Sequence, residues 1–185
     1  MRLSNHKSVI KCIIAVILLI AIVFGGVNLF WYGFKYLPYK KMADKMQFNN
    51  DSEMPRYLCT DDQYMYRLKM PGYLSFTSGF LYVGPNDEEA AVLYADDDGS
   101  FSEANKPHVD MFVWPQIFSE TQYGITIYEE TYSMQFMMNG QGELIPDENM
   151  TDEERAEAIM MFEKHKDEIR DIIRAAAELW GDELN

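Results

Sequence analysis

Residues 12–34 read CIIAVILLIAIVFGGVNLFWYGF, a run of 23 residues without a charged side chain between Lys11 and Lys35. As an α-helix this run would be about 34 Å long, which is enough to cross the hydrocarbon core of a bilayer. The sequence therefore predicts an N-terminal transmembrane helix at residues 12–34, preceded by a short basic segment at residues 1–11.

A cleaved signal peptide is the main alternative for this run, because it also begins with a basic segment followed by apolar residues. A signal peptide would continue into a polar stretch after its cleavage site. Here Gly25 and Gly26 lead instead into apolar and aromatic residues, and Trp31 and Tyr32 suit the membrane–water interface. We therefore predict an uncleaved signal anchor in a cell membrane, crossed once.

The charges that flank the run give a weak indication of orientation. Four lysines follow it, and they roughly balance the three basic residues and the amino terminus before it. We predict a cytoplasmic amino terminus and an extracytoplasmic C-terminal domain, because a short basic head before a long translocated domain is the usual arrangement of a signal anchor. Cys59 is the only thiol beyond the run, so a free thiol and a cross-link between two chains both stay open.

The charge of the chain is divided at the anchor. Residues 42–185 carry all 30 acidic side chains and a net charge of −20, whereas residues 1–41 carry +6. This distribution excludes nucleic acid as a partner, since a phosphate backbone attracts clustered Lys and Arg, and only Lys106 is basic between residues 71 and 154. Attraction of a basic protein partner is the functional alternative to a merely soluble surface.

Beyond the anchor, residues 35–56 mix basic, amide and acidic side chains and predict a juxtamembrane connector, and residues 57–185 predict one acidic α+β domain. Tyr64, Tyr66 and Leu68 alternate with other residues, as expected for a strand with one buried face. Further strands are predicted within residues 64–145, at residues 73–76, 80–83, 90–95, 109–114, 124–128 and 132–138. Their close spacing leaves no room for helical crossovers and predicts an antiparallel meander.

The last segment changes to a helical period. Thr151 and Glu154 form a capping-box pattern, and apolar residues then recur at steps of three and four through residues 152–180. We predict one long amphipathic helix that covers one face of the sheet. Heptad pairing with a second chain is a disfavoured alternative, because the apolar stripe is broad and Lys166 interrupts the seam.

Few residues suggest metal or cofactor chemistry. Asp96 and Asp98, beside Gly99, are weak candidates for a divalent cation, but the spacing fails for a calcium loop because the first ligand position falls on Tyr94. None of the three histidines has a His or Cys partner at zinc spacing. We expect no cofactor.

The leading functional hypothesis is a single-pass, membrane-anchored, non-catalytic domain that binds a protein or belongs to an envelope complex. Its acidic, aromatic-rich strands favour this reading, although the same aromatic residues could simply fill the core of a small sheet. A membrane-tethered hydrolase that uses His108 as a base is the second hypothesis. A weak divalent-cation module at Asp96 and Asp98 is the third.

Overall fold

The computed structural model describes residues 3–50, 56–86, 107–118, 120–129, 132–140, 142–145 and 150–181. Helix α1 (Leu3–Trp31) continues through a π-helical turn (Tyr32–Tyr36) into α2 (Leu37–Ala43). The described residues then form eight strands, followed by helices α3 (Asp152–Lys164) and α4 (Lys166–Trp180). The strands are β1 (Gln47–Asn49), β2 (Arg56–Thr60), β3 (Tyr64–Lys69), β4 (Phe80–Pro85), β5 (His108–Trp114), β6 (Gln122–Tyr128), β7 (Ser133–Met138) and β8 (Leu144–Ile145).

The N-terminal helix is long and apolar enough to cross a membrane. Its side chains are exposed from Val9 to Phe24, and the first fully buried one is Trp31. From there the helix enters the domain, because Lys35, Tyr39 and Met42 are all buried. The residues predicted as the start of a connector therefore pack within the fold.

The strands form one antiparallel sheet whose order in space, β1 to β8, is their order along the chain. This topology confirms the predicted meander and the α+β class. The sequence prediction placed the first strand at Tyr64, whereas β1 and β2 precede it and β2 pairs with β3 through Tyr57 and Leu68. Both strands are short, which leaves little alternation to detect in the sequence.

The hydrophobic core lies between one face of the sheet, here called the inner face, and the helices. Helix α4 packs across β4 and β5, and the edge of the Tyr39 ring from α2 meets Trp180 of α4 at 4.9 Å between centroids. Alternate strand residues complete this core: Tyr66, Leu68, Leu81, Val83, Val109, Met111, Val113, Tyr123, Ile125, Ile127, Phe136 and Met138.

The predicted C-terminal helix is divided at His165. The capping box is present, since the Glu154 backbone N–H donates to Thr151 Oγ1 and the Thr151 N–H donates to Glu154 Oε2. His165 has φ −104° and ψ 15°, so α3 ends there and α4 begins at the next residue. The break lets α3 turn toward β7, where Phe162 meets Phe136, while α4 covers the centre of the sheet.

Residues 73–76, predicted as a strand, form a turn instead. Leu74 has a φ of 54°, and the Ser75 N–H donates to the Gly72 carbonyl. The loop begins at Pro71 and Gly72, which are turn-forming residues. The strand was predicted because three of residues 73–76 are apolar or aromatic, although the loop continues through them. The strand predicted at residues 90–95 lies outside the described residues.

Candidate functional site

The face of the sheet that points away from α4, here called the outer face, carries a row of aromatic rings. Tyr82 of β4 lies directly opposite Phe112 of β5 in the pairing register, and their rings meet edge to face at 5.1 Å. Phe80 also meets Phe112 at 5.4 Å, and Phe112 stacks on Trp114 at 5.7 Å with 12° between the ring planes. Strand alternation places these side chains together, because residues two apart share a face.

Gly124 of β6 makes room for the last ring of this row. It lies opposite Phe112 in the register, and a Cβ atom added to it would lie only 2.7 Å from Cζ3 of Trp114. The indole therefore lies over the bare backbone of β6. A side chain at this position would displace it.

A groove begins at this indole and runs from the outer face to helix α3. It has a volume of about 680 Å³ and is partly open to solvent. Most of its wall is apolar, as is usual for a ligand or peptide site. Its lining residues are Phe112, Trp114, Gly124, Ile125, Thr126, Gln135, Phe136, Met137, Leu144, Ile145, Met150, Arg155, Ala158 and Ile159.

Two isoleucines on the rim of the groove are poorly covered. Ile159 of α3 is 49% exposed and Ile145 of β8 is 38% exposed. Beside them, the first turns of α3 carry Asp152, Glu153, Glu154 and Glu157, which outnumber the single guanidinium of Arg155 within residues 152–157. The groove thus has accessible apolar surface and one cationic lining side chain, Arg155, and it lies next to an acidic helix start.

Basic side chains lie at the opposite end of the aromatic row. The guanidinium of Arg67 lies 5.5 Å from the centre of the Tyr82 ring, and that of Arg56 lies 5.6 Å from the centre of Phe80. Lys69 Nζ is also 5.7 Å from the Phe80 centre. These cation–π contacts cover the part of the outer face formed by β2–β4. The groove lies at the other part, formed by β5–β8.

A buried carboxylate lies in the middle of the outer face. Asp110 is 1% exposed, and the Tyr82 hydroxyl donates to its Oδ2 at 2.9 Å. His108 Nε2 lies 3.7 Å from Asp110 Oδ1, and the imidazole stacks on Tyr128 at 4.5 Å. Gly84 provides the space, since a Cβ there would lie 2.4 Å from the Tyr82 hydroxyl and 2.7 Å from Asp110 Oδ1.

A second polar cluster fixes the junction of α3 and α4 to the sheet. The buried His165 ring lies with Nε2 2.8 Å from Glu129 Oε1, and Lys164 Nζ donates to the same carboxylate. These hydrogen bonds from Lys164 and His165 hold the pKa of Glu129 below its usual value. The cluster explains where the predicted helix breaks and has a structural role.

Of the residues singled out in the sequence, His108 is placed beside a carboxylate, while Asp96 and Asp98 lie outside the described residues. Within the described ranges, no group of three or more His, Cys, Asp or Glu side chains could hold a metal ion. Cys59 is half-buried, and burial, followed by the charge of Asp61, raises the pKa of its thiol.

Sequence reasoning missed the groove and Asp110. The groove depends on how α3 meets the edge of the sheet, which no local pattern encodes. Asp110 had a signal: a carboxylate between Val109 and Met111 in a predicted strand must face away from the core.

A scan against protein-family models, a search of curated proteins and a search of solved structures each returned no match.

Proposed function

We propose that this protein is a single-pass, membrane-anchored binding module. Its ligand is a segment of a partner protein that places apolar side chains in the groove and flanks them with lysine or arginine. The observation that carries the proposal is the groove itself, which is lined in part by the exposed Ile145 and Ile159 and lies next to the helix whose first turn is acidic. No catalytic step is part of the proposal.

The contacts of the helix with the domain support a retained anchor. Trp31 Nε1 donates to the Ser75 carbonyl at 3.1 Å, and Lys35, which is 2% exposed, donates to the Pro115 carbonyl at 2.9 Å. Removal of a signal peptide near Gly25 would leave these residues at a new chain terminus beside a domain that they help to hold together. In an uncleaved chain, Trp31 stays connected to the apolar helix before it and to the π-helical turn and α2 after it.

The charge distribution supports a basic partner that acts near the membrane. The domain carries −20 against +6 for residues 1–41, so it attracts cationic segments over the range of a Debye length, about 8 Å at physiological salt. The apolar contact would supply affinity and the carboxylates would supply orientation and association rate. This division predicts binding that weakens with salt without being abolished by it.

Peptide selection tests the proposed ligand. Random peptides are selected for binding to the full chain in lipid nanodiscs. Binding of the selected peptides is then measured to the Ile159→Asp variant and to the Arg170→Ala variant. Arg170 is an exposed residue of α4, and its replacement by alanine changes the net charge by the same amount as Ile159→Asp. We expect enriched peptides with apolar residues flanked by Lys or Arg, at least about tenfold weaker binding (about 1.4 kcal/mol) to Ile159→Asp, and unchanged binding to Arg170→Ala. Equal binding to both variants would exclude the groove as the site.

Protease accessibility in sealed cells tests the proposed orientation. If the domain is extracytoplasmic, residues 35–185 lie outside the anchoring membrane. Protease added from outside then degrades the domain while that membrane is intact, provided that any outer barrier, such as an outer membrane, has been permeabilised. Protection until the anchoring membrane itself is lysed would place the domain in the cytoplasm and change the set of partners.

A membrane-tethered hydrolase is the second candidate, supported by the distance of 3.7 Å between His108 Nε2 and Asp110 Oδ1. A buried carboxylate can orient an imidazole that acts as a base. The test is a screen of the full chain against ester substrates, with His108→Ala as the control variant. Activity that survives His108→Ala would remove this candidate.

A further inference from the structure

A second uncharged, aromatic surface lies where the anchor meets the domain. Two loops reach it from the same end of the sheet: residues 70–79 between β3 and β4, and the described residues 115–118 and 120–121 between β5 and β6. The sequence has no charged side chain at residues 70–86 or at residues 111–119. In a domain with a net charge of −20, two such stretches at one end of the sheet mark a surface that differs from the rest.

Four phenylalanines join these loops to the anchor helix. The Phe30 ring stacks on Phe118 at 5.9 Å with 11° between planes and lies 6.1 Å from Phe76 and 4.7 Å from Phe34. Phe76 and Phe118 meet each other at 6.0 Å. We call Phe30, Phe34, Phe76 and Phe118, together with Tyr73, the aromatic collar.

Polar contacts fix both loops to the helix. Tyr73 donates from its hydroxyl to Asn28 Oδ1, and its ring meets the edge of Trp31 at 5.5 Å. Trp31 and Lys35 donate to the backbone carbonyls of Ser75 and Pro115, one in each loop. The loops are therefore held beside the helix at a defined level along its axis.

The collar remains exposed in spite of these contacts. Phe118 is 78% exposed, Tyr73 66% and Phe34 63%. Burial of large aromatic side chains is favourable, so leaving two phenylalanines and a tyrosine in water at one site is unfavourable. The exposed rings are continuous with the apolar surface of α1, which is exposed from Val9 to Phe24.

We propose that the aromatic collar lies at the boundary between lipid headgroups and acyl chains, so that residues 70–79 and 115–118 form a second membrane contact beside the anchor. This inference rests on the proposed membrane anchor. Lipid is the occupant because the collar adjoins the helix proposed to enter the bilayer, carries no charge and contains tyrosine and phenylalanine, of which tyrosine is typical of membrane interfaces. The contact would restrict the tilt of the domain about the π-helical turn.

The same orientation places part of the negative charge of the domain away from anionic lipid. Asp61 and Asp62 lie in the turn between β2 and β3, at the opposite end of β3 from the collar, about 20 Å away for a strand of this length. Glu129 follows β6 at that same end. These three acidic side chains thus lie at the end of the sheet away from the collar, whereas the exposed Glu120 and Glu143 lie at the collar end, beyond the uncharged residues 111–119.

Depth-dependent quenching tests the collar. Both native cysteines are replaced (Cys12→Ser and Cys59→Ser), and one new cysteine per variant is labelled with an environment-sensitive dye. Each labelled full chain is reconstituted into phosphatidylcholine vesicles, with or without brominated acyl chains. The labelled positions are Phe118→Cys and Tyr73→Cys in the collar, Gln63→Cys in the distant β2–β3 turn as the matched exposed control, and Leu19→Cys in the anchor. Near-UV circular dichroism selects labelled variants that retain the fold.

We expect brominated lipid to remove most of the fluorescence at positions 19, 118 and 73 and to leave position 63 unchanged. Quenching at 19 with none at 118 and 73 would overturn the collar while keeping the anchor. Absence of quenching at 19 would overturn the anchor itself. Protection of position 118 from both brominated lipid and aqueous iodide would mean that protein covers the collar, which also overturns the inference.

Discussion

Gly84 shows how one residue sets the polar centre of the outer face. Because it has no side chain, the Tyr82 hydroxyl and the Asp110 carboxylate can meet directly above the backbone of β4. The hydrogen bond from the tyrosine hydroxyl compensates in part for the burial of Asp110, because a buried polar group without hydrogen bonds is costly.

Replacement of Gly84 should therefore destabilise the fold. Gly84→Ala places a Cβ 2.4 Å from the Tyr82 hydroxyl, which must move away from Asp110, and we expect a loss of about 1–3 kcal/mol in the free energy of unfolding. Urea unfolding of the full chain in detergent, followed by near-UV circular dichroism, measures it. Gly140→Ala is the control, because the nearest atom to its Cβ lies at 3.5 Å; equal effects at both positions would contradict the packing described.

Glu129 makes a part of the stability depend on pH. Its folded-state pKa is lowered by hydrogen bonds from Lys164 and His165, so its contribution is present above the unfolded value of about 4.5 and is lost as the pH falls through the lower, folded value. We expect Glu129→Gln to reduce stability slightly at neutral pH and to flatten its decline below pH about 4.5. Thermal melts across this range test the prediction, with Glu157→Gln as an exposed control on α3; identical pH profiles for wild type and Glu129→Gln would contradict it.

At the scale of elements, the sequence was most informative where a strand or helix had one buried face. Strand β3 follows from period-two alternation, β4 to β7 were predicted from short, closely spaced aromatic runs, and α4 follows from its apolar stripe. The turn at residues 73–76 escaped because Leu74 adopts a positive φ that an apolar composition does not suggest. The break at His165 was not predicted, and the contact of its ring with Glu129 joins residues 36 apart in the chain, which no local pattern reveals.

The two isoleucines Ile172 and Ile159 distinguish the roles of α4 and α3. Ile172 is 1% exposed in the core, whereas Ile159 lies on the groove rim. We expect Ile172→Ala to cost about 2–5 kcal/mol of unfolding free energy and Ile159→Ala less than about 1 kcal/mol. Chemical denaturation of both variants checks this difference. A large loss for Ile159→Ala would mean that this residue belongs to the core and would weaken the proposed binding role.

At the scale of the whole molecule, the anchor and the domain form one structure. The helix that leaves the proposed membrane continues through the π-helical turn into α2, whose Tyr39, Met42 and Ala43 belong to the core. The uncharged run predicted the apolar helix, but no pattern in the sequence indicated that Lys35, the first basic residue after it, would be buried. Lys35 is accommodated because its Nζ donates a hydrogen bond to the Pro115 carbonyl and lies 5.2 Å from the centre of the Tyr39 ring.

The central claim is that an uncleaved N-terminal helix anchors the acidic domain in a membrane. Alkaline carbonate extraction of cells that express the full chain, with mass measurement of the protein in each fraction, tests it most directly. We predict that the protein stays in the membrane pellet with the mass of the intact chain, 21.6 kDa. A soluble protein, or one shortened by the removal of residues up to Gly25 or Gly26, would contradict the account.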